Sequence, residues 1–181
     1  MTNTTTSTDI VAPATGMTDI GLLILRLATG ATMLQAGLIK AADYDTTVEF
    51  METGGWRLPA FAAFMVTAAE TLGGIGLLLG ILTPLAACAA IGAMLDAWAV
   101  NVSADAFWSQ PFNVPFLAAF GAAALLFTGA GSLSVDHKVF GRSRGSSRLA
   151  VGLLVTGIAV AVVTWIALNG SNPIHLTSAT G

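Results

Sequence analysis

The chain has 181 residues, of which 55 % are hydrophobic and 9 % charged, with a formal net charge of −3. A soluble domain carries about 25 % charged residues, so this composition excludes an ordinary water-facing globule and points to the bilayer. The seven Lys and Arg form no stripe suited to nucleic acid, and the lone Cys88 excludes an internal disulfide or a Cys-x-x-Cys redox pair.

Residues 1–18 are Thr-rich, lack Lys and Arg, and read as a flexible tail rather than a signal peptide. Five apolar segments follow: Ile20 to Ala42, Pro59 to Gly80, Pro84 to Val102, Val114 to Gly129, and Leu149 to Leu168. Most approach the ~20 residues needed to cross ~30 Å of hydrocarbon; the fourth is the shortest. Between the first two, Thr46–Thr53 reads either as a short amphipathic helix stopped by Gly54-Gly55 or as an ordered loop. Thr83-Pro84 supplies a cap residue and a proline in the first turn, which predicts a tight hairpin between the second and third segments. Asn113 precedes the fourth segment, Ser146 and Ser147 the fifth, and Asn169-Gly170 ends it. The fold class is all-α: a polytopic transmembrane helical bundle with a four-helix core and a fifth helix.

Orientation follows the positive charges of short loops. Lys138, Arg142, Arg144 and Arg148 cluster after the fourth segment, which places that loop and the N-terminus in the cytoplasm and the C-terminus outside. Trp56, Trp98, Trp108 and Trp165 then share the outer interface, where amphipathic rings prefer to lie.

Ionisable residues inside hydrocarbon are expensive and face a bundle interior or a cavity, which singles out Arg26, Gln35, Lys40, Glu70 and Asp96. At 3.6 residues per turn, Arg26, Thr29, Gly30, Met33, Gly37 and Lys40 share one face of the first helix, and Gln35 points away. Glu70 shares a face with Gly73 and Gly74. Counting rise from the helix ends puts Arg26 and Glu70 at similar depth, so an Arg26–Glu70 pair is expected, with Lys40 at the outer mouth and Asp96 near Lys40 or Gln35. Three uses are open for this set: fixing helix register, lining a cavity that binds a quinone, lipid or other small molecule or hands on protons, or, for Lys40, snorkelling to the interface. No catalytic residue is assigned. His137 and His175 lie outside the spans, so no intramembrane haem or metal site is expected.

The stretch from Thr128 to Asp136, with Gly129, Gly131 and Ser132, reads as a turn that stops the fourth helix. There Asp136 or Ser132 would bond backbone groups freed by the glycines; a headgroup or anion site beside Lys138 is the other use.

Leu25-Arg26, Gly30, Gln35-Ala-Gly37-Leu-Ile-Lys40, Glu70-Thr-Leu-Gly73-Gly74, Gly80, Thr83 and the Thr128–Asp136 stretch, in this order and spacing, resemble the DoxX family of bacterial membrane proteins. The resemblance implies a four-helix membrane domain over 19–142, an added helix over 143–170 and a short extracytoplasmic tail over 171–181. It further implies the inner membrane of a bacterium, membrane-protein partners, and an accessory subunit of a respiratory or quinone-linked redox complex. No covalently bound cofactor is expected; quinone is the implied one. A subunit of a thiosulfate or sulfur-compound:quinone oxidoreductase, and a small-solute or lipid transporter or binding protein, are the alternative readings.

Overall fold

A computed structural model of the protein describes residues 16–141 and 146–176. Arg142, Arg144 and most of the expected N-terminal tail lie outside the described residues. Within them run α1 (Met17–Ala42), α2 (Tyr44–Thr53), α3 (Pro59–Leu79), α4 (Thr83–Ser103), α5 (Val114–Thr128), α6 (Val135–Phe140) and α7 (Ser147–Thr164). A π turn over Trp165–Asn169 extends α7. The chain is a polytopic transmembrane bundle: α1, α3, α4 and α7 with its π turn are long and apolar enough to cross a membrane. Their outward faces carry Ile24, Leu38, Phe64, Leu72 and Val163, all exposed, as lipid-facing side chains are.

The two ends of the bundle differ. One end holds α2, the α4–α5 loop and all four tryptophans; Trp56 and Trp165 meet edge to face at 5.7 Å and Trp98 meets Phe107 at 6.4 Å. The backbone after α7 is tied down there, with Arg57 N–H donating to Leu168 O at 2.7 Å and Phe107 N–H to His175 O at 2.6 Å. The opposite end holds the α3–α4 turn and α6. The segment 44–53 is a helix, with Asp43 capping it through Thr46 N–H at 3.2 Å and Thr47 and Met51 turned inward.

α1 packs chiefly on α3, while α4, the most buried span, lies among α3, α5 and α7. Glycines set the α1–α3 register. A Cβ on Gly74 would lie 2.6 Å from Leu34 N, one on Gly30 would lie 2.8 Å from Leu78 N, and one on Gly37 would overlap the Thr71 hydroxyl. Backbones that approach this closely gain dispersion contact in a solvent that offers no hydrophobic drive between helices. Gly30 and Gly37 belong to the inward face of α1 together with Arg26, Thr29 and Met33, as helical phase predicts. The added α7 packs on α4 through Gly157, whose missing Cβ leaves room for the Cys88 carbonyl.

The α3–α4 turn corrects the expected cap. Leu82, not Thr83, is the N-cap of α4, and it is left-handed at φ 47°. Thr83 is helical, and its buried hydroxyl finds no partner among the described residues. The capping comes from a distant carboxylate: Asp136 accepts from Leu82 N–H at 2.8 Å and Thr83 N–H at 2.9 Å, while its own N–H donates to Gly80 O at 2.8 Å. Three bonds of this kind hold a backbone conformation that non-glycine residues adopt only at a cost.

Candidate functional site

The polar residues of the spans fall into two groups that the structure keeps apart. At the α6 end, Arg26 is 1 % exposed and donates only to backbone carbonyls. Its Nε reaches Leu77 O at 2.9 Å, Nη2 reaches Leu78 O at 2.8 Å, and Nη1 reaches Ala130 O at 3.0 Å and Leu133 O at 2.9 Å. Leu77 and Leu78 supply carbonyls from the last turn of α3, where helical donors run out and Leu77 O has only the Gly80 N–H at 3.2 Å besides Arg26; a cation there also complements the helix dipole. Ala130 and Leu133 belong to the irregular stretch after α5, a helix of 15 residues that is short for a span. Non-helical backbone at membrane depth persists only when protein satisfies it, and Arg26 does so from α1. Gly129 and Gly131, with φ 82° and 74°, bend the chain so that these carbonyls turn inward.

The expected Arg26–Glu70 pair is therefore absent. Arg26 stands beside Leu77–Leu78, seven or eight residues farther along α3 than Glu70, or ~10–12 Å of rise. α1 begins below the end of α3, at Met17, so depths counted from each helix end do not align. The anchor of that lower overhang was missed from sequence: Asp19 accepts from Ser132 N–H at 2.8 Å. A carboxylate in the first turn of α1 was the available signal. Ser132 acts chiefly through its backbone N–H, with its hydroxyl beside the same Asp19 carboxylate. Thr128 Oγ1 bonds its own helix at Ala124 O, 2.7 Å.

The second group faces a cleft of about 640 Å³ that runs along α4 and reaches α2 at one end. Lys40 Nζ meets Glu70 Oε2 at 2.7 Å, with the carboxylate 2 % and the lysine side chain 29 % exposed. Asp96 lines the same cleft. It has no hydrogen-bond or ion-pair partner among the described residues, so neither Lys40 nor Gln35 takes the role expected for it. Gln35 turns away and is exposed, as phase predicts. Most of the rest of the lining is apolar and soft, including Met51, Met65, Met94 and Trp56, and it follows α4 from Leu85 to Asn101. Gly157, Val160 and Thr164 of α7 close one side, so the added span is a wall of the cleft. The volume lies within the ~300–1,000 Å³ usual for small-ligand sites. Chemically the cleft offers a cationic donor held by a buried acid, a separate carboxyl, and a long apolar channel.

Comparison with known proteins places this arrangement. The DoxX family model matches residues 21–103, from the start of α1 to the end of α4. A Bacillus subtilis (strain 168) protein named "Putative oxidoreductase CatD" is 30 % identical over 133 residues, which span 71 % of this chain and 94 % of that protein. No solved structure matches the chain. On the family model and on a relative covered almost end to end, the chain belongs to the DoxX family.

Proposed function

We propose that the chain is an accessory, quinone-proximal subunit of a bacterial membrane redox complex, and that the cleft beside Lys40 takes the quinone. The observation that carries this reading is a cationic donor held by a buried acid inside an apolar groove. A quinone head presents carbonyl oxygens and a flat ring on an isoprenoid tail. Lys40 has three N–H donors and Glu70 engages one of them, which leaves donors for a quinone carbonyl. Thioethers of Met51, Met65 and Met94 adapt to a ring surface. The groove along α4, Leu85 to Asn101, is ~24 Å long and suits a tail. When bound, quinone supplies two-electron, two-proton carrying capacity. This chain's share in the reading is to seat and orient the head. The oxidoreductase in the relative's name supports a redox setting.

Purified protein in nanodiscs tests the seat. A short-tailed ubiquinone analogue is expected to quench tryptophan fluorescence saturably, chiefly through Trp56 in the lining. A Lys40→Met/Glu70→Leu double variant removes the donor without stranding the acid and is expected to weaken binding about tenfold, one charge-assisted hydrogen bond. Quenching that merely tracks partitioning into lipid, equal in both proteins, sinks the reading.

The orientation belongs to the same proposal: the α6 end faces the cytoplasm, supported by Lys138 and Arg148 there and the tryptophans opposite. In a Cys88→Ala background, Glu52→Cys is expected to react with an impermeant maleimide in intact cells, and Lys138→Cys only after lysis. The reverse pattern inverts the topology.

A further inference from the structure

The seat just described uses Lys40 and Glu70 and leaves Asp96 without a task. Lys40 and Glu70 cancel each other's charge at 2.7 Å. Asp96 faces the same cleft with no hydrogen-bond or ion-pair partner among the described residues. The uncharged polar side chains of the lining, Thr32, Asn101 and Thr164, bring no positive charge. The cleft as a whole is therefore one positive charge short of neutrality when Lys40, Glu70 and Asp96 are charged. A lone carboxylate at membrane depth is costly, and a cation beside it removes that cost. Polarizable and aromatic surfaces complete the site: Met65, Met94 and Trp56 line the cleft with Asp96, and an indole face attracts organic cations.

We infer that the cleft binds a second class of ligand, amphipathic organic cations, with the charge set against Asp96 and the apolar body against Met65, Met94 and Trp56. Such a ligand is a quaternary ammonium, a phosphonium or a protonated amine carrying apolar groups. It reaches the cleft through lipid because its substituents are apolar, and it is retained because Asp96 is the charge that the cleft leaves unmatched. Asp96 lies thirteen residues into α4 from Thr83, ~20 Å along it, and so ~10 Å from the α2 end, within reach of that surface. The selectivity is for charge sign: an anion of the same shape meets an uncompensated carboxylate. This inference shares the apolar lining of the quinone seat and differs in the group that recognises the ligand, Asp96 on α4.

Equilibrium dialysis of tetraphenylphosphonium against the full chain in zwitterionic nanodiscs tests it, with empty nanodiscs as the blank. Wild-type protein is expected to bind saturably. Asp96→Asn is expected to weaken binding at least about tenfold, the ~1.4 kcal/mol of one decade; Asp96→Glu retains binding, as does the Lys40→Met/Glu70→Leu double variant. Tetraphenylborate, which has the same shape and the opposite charge, is expected to show no saturable binding to wild type. That comparison reads the charge preference even if Asp96→Asn does not fold. Equal affinity in Asp96→Asn and wild type overturns the inference, as does uptake no greater than that of empty nanodiscs or saturable binding of both probes. Loss of quinone quenching with cation binding intact removes the quinone seat alone.

Discussion

Arg26→Met is expected to lower the stability of the folded bundle by about 3–5 kcal/mol, comparable to breaking a buried ion pair. Four carbonyls lose the guanidinium at once: Leu77 and Leu78 at the end of α3, Ala130 and Leu133 in the stretch below α5; Leu77 O keeps the Gly80 N–H at 3.2 Å. A buried group left unsatisfied costs about 1–3 kcal/mol, and relaxation of the loop keeps the total below the sum of four. Arg26→Lys recovers little, because an ammonium cannot copy the planar fork that reaches two segments together. Gly80 is bound to the same guanidinium by space: it is left-handed at φ 65°, and a Cβ there would lie 2.8 Å from Arg26 Cζ. Denaturation in mild detergent, read by helicity and by proteolysis between α5 and α6, measures the loss. Combined with Glu70→Gln the effects should add to within ~0.5 kcal/mol, since the sites share no partner and lie ~10–12 Å apart along α3. A coupling well above that would restore the Arg26–Glu70 pairing and discredit the register given by Gly30 and Gly74.

Lys40→Met is expected to cost about 2–4 kcal/mol, somewhat less than a broken buried pair in a soluble protein because the unfolded chain in a membrane also finds polar partners. Glu70 is 2 % exposed, so the stranded carboxylate stays buried without its cation. Glu70→Leu added to Lys40→Met should return most of that loss, with a coupling of at least ~1.5 kcal/mol between the two sites. Unfolding of the two single variants and the double in the same detergent gives the cycle directly. Strict additivity would mean that the 2.7 Å contact contributes nothing to stability and that Lys40 snorkels instead.

These two results separate what was legible in the residues from what was not. Five apolar segments, the hairpin at Gly80–Pro84 and the stop at Gly170 follow from local rules of length, capping and proline, and the described helices keep them to within a few residues. The inward face of α1 is legible too, because 3.6-residue phase is a property of one helix by itself: Arg26, Thr29, Gly30, Met33 and Gly37 are the buried set. The same phase turned Gln35 outward. Even the amphipathic α2 was visible as one of two readings.

Partnership was not legible, since it depends on how one helix slides along another. Arg26 and Glu70 looked level only while α1 and α3 were counted from their own ends. The glycine contacts of Gly30 with Leu78 and Gly74 with Leu34 shift α1 past the end of α3, and that shift hands Glu70 to Lys40 and Arg26 to a set of carbonyls. Carbonyl acceptors carry no mark in a sequence, so the largest hydrogen-bonding role in the bundle could not be read from the residues that accept it. Asp136 was recognised as a backbone ligand, but its target, the α3–α4 turn more than fifty residues earlier, exists only once α6 folds under that turn. The sequence by itself determined the spans, their faces and the family. The tertiary structure alone decided the register, and with it which charge is paired, which is spent on backbone, and that Asp96 faces the cleft without a partner. The physical reason is that phase arises within a helix, whereas register is set by the closest approach of two backbones.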